Sequence, residues 1–215
     1  MSTFNPGGPI NGLSPQQVND SLTETQKNAL NGLYPQKTGQ TTSYANGDDG
    51  FFQNGRPTPG FLTLAVNNPF GNTNRFTNDK GGSVNDGSDG STANYAIDWC
   101  TGLGWCTTLQ AFATWATAVA KYSTFSLGPY SSFFVPNADE LKSIANLGLN
   151  TNCFNYPPFS IGTVGTISLW SSTTVPATTT QAYIIQIKSI TVQFSFITSV
   201  KTNTTTYYLC RKHLT

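Results

Sequence analysis

The chain has 215 residues, enough for one substantial domain with an appendage rather than two full domains. Only 10% of them are charged, against about 25% in ordinary globular proteins, so Asn, Thr, Ser, Gln and Gly must carry the surface. A net charge of +1 with no Lys/Arg cluster supplies no long-range field, which argues against nucleic acid and anionic lipid as partners.

Residues 1 to 13 are rich in Gly, Pro and Asn and read as an extended arm. Met1 to Pro9 has neither a basic start nor an apolar core, and no run approaches the roughly eighteen apolar residues of a membrane span. Neither secretion by a signal peptide nor membrane insertion is expected. Ser14 is a candidate N-cap, Pro15 suits the first helical position, and Val18, Leu22, Thr25, Ala29 and Leu33 recur at helical spacing up to Gly32 and Pro35. This amphipathic helix either docks on its own domain or serves attachment and oligomerisation. Residues 36 to 60 carry turn signals, so the expected division is an arm, helix and linker over 1–60 and a folded domain over 61–215.

Phe61 to Val66 reads as a strand. In the Gly-rich stretch 79–91, Asp79, Asp86 and Asp89 offer hard oxygens that could wrap calcium, but the alternating ligand register of an EF-hand is absent, and a plain surface turn is the simpler reading. Tyr95 to Trp99 reads as a strand leading into a Gly-rich turn. The spacing of Phe112, Trp115, Ala116, Val119 and Tyr122 then predicts a helix over 107–122 with a core-facing aromatic stripe, capped by Thr107 or Thr108.

Val135-Pro136 forces an extended approach, and Asn137 sits where an N-cap belongs, with Glu140 three residues on as an Asn-x-x-Glu capping box. A helix should start at Ala138, bury Leu141, Ile144 and Ala145, and stop at Gly148. Asp139 and Glu140 are therefore capping and solvated carboxylates rather than catalytic ones. Residues 150–165 form a long irregular loop, of the kind that is functional or poorly ordered. Ile167–Trp170, Gln181–Ser189, Thr191–Thr198 and Thr205–Arg211 follow as half-buried antiparallel strands, marked by the alternations Tyr183/Ile185/Ile187 and Val192/Phe194/Phe196.

The Phe133-Phe134-Val135-Pro136-Asn137-Ala138-Asp139-Glu140-Leu141 segment, Trp170-Ser171-Ser172-Thr173, Ala182-Tyr183 and the closing Tyr207-Tyr208-Leu209-Cys210-Arg211 together resemble the C-terminal domain family of the Legionella collagen-like adhesin over roughly residues 70 to 213. The family's Trp-Arg before the proline is replaced here by Phe133-Phe134. The resemblance implies an α+β, C-type-lectin-like domain with two helices and a twisted antiparallel sheet, a fold whose members sit on bacterial surfaces and in phage tail fibres. It also implies that the 150–165 region belongs to a binding face.

Combined with low charge and no export signal, this leads to an expected phage virion adhesin, a tail-fibre or head-fibre tip assembled in the host cytoplasm and exposed after lysis. Its ligand would be a host surface glycan or protein, its contact residues Asn155, Tyr156, Phe159, Thr178, Thr179, Thr202 and Asn203. Residues 1–35 would dock on other virion proteins, and a homo-oligomer, a trimer by default, is expected. The alternative is a decoration protein that stabilises the particle and has no receptor. Tyr156, Phe159, Trp170, Tyr183, Tyr207 and Tyr208 could stack on glycans or form core, with Trp170 read as core.

Enzymatic chemistry is not expected. His213 is the only histidine and reads as an exposed spectator, and no nucleophile elbow, phosphate loop or dinucleotide fingerprint occurs. Cys100, Cys106, Cys153 and Cys210 match no zinc spacing, and cytoplasmic synthesis favours buried thiols over pairing after release. Nothing around Cys100 or Cys210 marks the reactive pair of the formylglycine-generating branch of the fold. The calcium-chelating motifs of sugar-binding lectins are also missing, so neither cofactor nor metal is expected.

Overall fold

In the computed structural model the described residues are 42–46, 60–64, 67–85, 93–149, 152–159, 161, 166–188 and 193–213. The expected arm, the 14–33 helix, most of the 36–60 linker, and Asp86 and Asp89 of the candidate calcium loop lie outside them.

Seven strands form one mixed sheet: β1 (Phe76–Thr77), β2 (Tyr95–Asp98), β3 (Leu103–Thr114), β4 (Thr166–Thr174), β5 (Gln181–Lys188), β6 (Gln193–Val200) and β7 (Thr204–Lys212), in spatial order β1-β2-β3-β7-β4-β5-β6. The described helices are short: α1 (Trp115–Val119), continued by a 3-10 turn over Ala120–Ser123, and α2 (Ala138–Ser143). The expected two-helix lectin-like α+β fold with an antiparallel sheet is thereby overturned. The last strand does not extend the β4-β5-β6 meander. It inserts between β3 and β4, antiparallel to β3 and parallel to β4 through the single pair Leu169 with Thr206.

The same insertion explains why the 107–122 helix does not exist as expected. Residues 103–114 pair with β7 from Leu103 opposite Lys212 to Thr114 opposite Thr204, with irregularities either side of Gln110, so a non-local ladder satisfies the backbone that a helix would have satisfied locally. Helix forms only once Thr114 caps Trp115–Val119. Phe112 and Tyr122 of the presumed core stripe are 74% and 61% exposed. Of the expected strand Phe61–Val66, the described residues 61–64 form none: Phe61 and Leu62 lie in a turn, and Thr63 makes one bridge to Asn74.

At α2 local sequence and structure agree. Asn137 Oδ1 accepts from the N–H groups of Asp139 and Glu140, each at 2.9 Å, and Glu140 Oε2 accepts from the Asn137 N–H at 2.7 Å, which completes the capping box. The helix ends at Ser143, before the expected stop at Gly148, yet Leu141, Ile144 and Ala145 are all buried. The Trp170–Thr173 segment is built against this helix start. Thr173 Oγ1 accepts the Ala138 N–H, and the Ser172 N–H donates to the Pro136 carbonyl.

Period-two alternation places a core on each face of the sheet. Trp105, Leu169, Ile185, Ile187, Tyr208 and Cys210 join Leu141 and Ile144 of α2 in one cluster. Cys106, Trp170, Ala182, Ile184, Tyr207 and Leu209 join Tyr95, Trp99 and Phe133 in the other. Trp170 is fully buried and donates its Nε1–H to the Ala113 carbonyl at 3.0 Å, so it is core, as read from the sequence.

Candidate functional site

Two hairpin turns meet at one end of the sheet. The Lys201 N–H donates to the Thr180 carbonyl at 2.9 Å, and Lys201 Nζ to Thr174 Oγ1 at 2.8 Å while standing 3.9 Å from the Trp115 ring centroid. Thr178, Thr179, Thr202 and Asn203 are exposed there, so four of the expected contact residues share one region. The other three do not join them. Tyr156 and Phe159 are buried in the Trp105 cluster, their rings in edge contact at 5.7 Å, and Asn155 is half-buried beside them with its N–H on the Asn152 carbonyl. Core packing removes Tyr156 and Phe159 from any contact surface, and Tyr207 and Tyr208 with them. From the described part of the 150–165 stretch, Pro157 and Pro158 line a small cleft of about 210 Å³, shared with Leu62, Asn74, Phe76, Ser83 and Val84.

Beside the joined turns lies a shallow groove of about 490 Å³. Ser168 pairs with Gln186 and Ile184 with Ile197, so these four side chains share one face of the β4-β5-β6 sheet, with Ser199 two residues beyond Ile197. The first residues of β7, Thr204 and Thr205, and Asn203 of the turn form the opposite wall. Among the described residues no charged side chain lines it.

Two of its hydroxyls, those of Thr205 and Ser199, are held by hydrogen bonds. Thr205 Oγ1, in the lining, and Thr206 Oγ1, just beyond it, both donate to the Ser168 carbonyl at 2.7 Å, so the Thr205 oxygen keeps its capacity to accept. Asn203 Nδ2 donates to Ser199 Oγ at 3.2 Å, leaving the Asn203 amide oxygen to accept. Over the apolar floor of Ile184 and Ile197, such a groove can hold a neutral ligand rich in hydroxyl or amide donors. Of the expected contact residues only Asn203 lines it. Ser168 and Gln186 were missed because the strand alternation was read for its apolar members alone; single polar residues inside those strands were the available signal.

A second polar cluster surrounds His213. The Tyr95 hydroxyl is 2.7 Å from His213 Nδ1, and the Tyr95, Trp99 and Tyr130 ring centroids stand 5.7, 6.1 and 6.2 Å from the imidazole. Tyr95 also stacks on Tyr130, whose hydroxyl donates to Asp79 Oδ2 at 3.1 Å, while the Arg211 guanidinium lies 5.0 Å from the Tyr130 ring. His213 is therefore half-buried and engaged, not the exposed spectator its position suggested. Burial, reinforced by Arg211 and opposed by Asp79, holds its pKa below the ordinary value, and burial pushes the Tyr95 phenol up.

The four cysteines are buried thiols. Desolvation raises Cys106 and Cys210 and pushes Cys153 up to about 12, which keeps them protonated at neutral pH. Among the described residues no group of three or more His, Cys, Asp or Glu side chains could hold a metal ion, and no helix is long and apolar enough to cross a membrane. Compared with known proteins, the chain matches no family model, no curated protein and no solved structure.

Proposed function

We propose that this protein is a non-enzymatic adhesin of a phage particle that binds a neutral, hydroxyl-rich host surface ligand, a glycan, in the groove between β5, β6 and the start of β7. The observation that carries the reading is the groove itself: without charged side chains among the described residues, lined by hydroxyl and amide groups of which Thr205, Ser199 and Asn203 are fixed by hydrogen bonds, and floored by two isoleucines. Neutral hydrogen-bonding groups over an apolar floor match the alternating hydroxyl and C–H surface of a sugar, whereas a charged ligand would find no counter-charge in the lining. Buried thiols of raised pKa and an occupied histidine fit binding better than covalent catalysis. The virion setting rests on the low charge and the Asn-, Thr- and Ser-rich composition, and the motif resemblance adds nothing to it, because the fold it implies is not formed.

The test is binding of the purified protein to host cells and to an array of neutral glycans. Gln186→Leu combined with Asn203→Ala removes two lining groups and should weaken binding by about tenfold, since each neutral hydrogen bond contributes roughly 0.5–1.5 kcal/mol. Thermal unfolding should stay close to wild type. Wild-type protein that binds neither cells nor glycans, in particles that fall apart when it is deleted, would replace the adhesin by a decoration protein.

A further inference from the structure

We propose that His213 is an acid-sensitive latch on the end of β7: neutral, it accepts the Tyr95 hydroxyl proton and holds the strand end against β2 and β3, and protonated, it lets that end go. The latch is built from three directions. β7 supplies His213 with Arg211 and Lys212 just before it; β2 supplies Tyr95, with Trp99 and Cys100 directly after the strand; and two loops supply Tyr130 and Asp79. The backbone closes on the same point, because the His213 N–H donates to the Gly102 carbonyl at 2.9 Å and Leu103 pairs with Lys212. Gly104 makes the arrangement possible, since a Cβ there would collide with the Tyr95 hydroxyl.

With the imidazole neutral and its proton on Nε2, Nδ1 can only accept, so the phenol gives its proton to it; the Arg211 guanidinium, 5.0 Å from the stacked Tyr130 ring, adds positive charge to the same cluster. A second proton on the imidazole makes Nδ1 a donor, so the Tyr95 hydroxyl must swing its own proton away and the 2.7 Å bond made by the neutral ring is lost in its original sense. It also creates a cation beside Arg211 in a half-buried ring of aromatics, with Asp79, already engaged by Tyr130, as the opposing charge. Burial and Arg211 already disfavour the charged imidazole in the folded chain. As the chain's single histidine, it is the side chain whose ordinary pKa lies in the mildly acidic range.

Hydrogen exchange on the full chain tests the latch, read as protection of the residue-213 amide against its intrinsic rate at about pH 7.5 and about pH 5. Protection should fall about tenfold on acidification while that of Trp105, in the middle of the β3 ladder, holds. His213→Phe fills the same aromatic surroundings without titrating and should show no fall. No fall in the wild-type protein, or an equal fall in His213→Phe, overturns the proposal. Tyr95→Phe gives an independent reading: without the donor the imidazole titration should move up by roughly one unit in NMR, and an unmoved titration also overturns it.

Discussion

Arg75 and Asp98 form an ion pair with both side chains fully buried, held by a set of contacts that, among the described residues, leaves only Nη1 of the guanidinium without a hydrogen-bond partner. Arg75 Nε and Nη2 meet the two carboxylate oxygens at 2.9 and 2.7 Å, Nη2 also donates to the Ser143 carbonyl, and the guanidinium lies 4.4 and 4.6 Å from the Phe61 and Phe76 rings. Asp98 takes two further bonds, from the Cys100 N–H and the Thr101 hydroxyl. Burial works to lower the Arg75 pKa, and Asp98 more than offsets it. Removing one partner strands the other, so Asp98→Ala should cost about 3–5 kcal/mol in urea unfolding. A cost below about 1 kcal/mol would mean that water reaches the guanidinium in the variant. Nothing in the sequence marked this pair. The partners stand 23 positions apart, and only the pairing of β1 with β2, Phe76 opposite Asp98, brings them together.

α2 is the element where local chemistry is strongest. Its capping box satisfies three N–H groups within four residues, and all of it was legible in the order Pro-Asn-Ala-Asp-Glu-Leu. Asn137→Ala should destabilise the protein by about 1 kcal/mol, and Asn137→Asp, which keeps the acceptor, should restore most of it; equal losses in thermal unfolding would deny the cap its role. Helical spacing was just as clear over 107–122 and was misleading. The decisive partner of that stretch is β7, about a hundred residues away, and a ladder of that range leaves no trace in a local window. The groove was half legible for the same reason. Its turn residue Asn203 followed from loop position, whereas Ser168, Gln186 and Ser199 become neighbours only through strand register.

At the scale of the molecule, titration of buried groups bounds the pH range of stability. Burial raises Cys106, Cys153 and Cys210, so as pH climbs past the ordinary thiol value of 9.0 the unfolded chain gives up protons that the folded chain keeps. Stability is therefore fully present below about pH 9 and should decline toward about 12, the value reached by Cys153. His213 works in the opposite direction. With its folded pKa lowered, stability is present above its ordinary 6.5 and is lost as pH falls below it. Urea midpoints measured across pH should form a plateau between these limits. A Cys153→Ala variant, compared at matched baseline stability, should lose less on the alkaline side; an identical decline would assign it to the tyrosines.

What the sequence by itself determined is whatever depends on neighbours a few positions apart: the capped start at Asn137, the strand character of 95–98, 181–188 and most of 193–200, the turn at Gly128-Pro129, and a sparsely charged surface. What only the tertiary structure decided is whatever depends on which distant strand is met. That includes the mixed sheet with β7 inserted between β3 and β4, the strand at 103–114, the burial of Tyr156 and Phe159, and the capture of His213 by Tyr95. The physical reason is one and the same. Caps and turns are satisfied within a few residues, but a β-strand leaves its backbone groups to be satisfied by a partner whose identity the local chain does not specify.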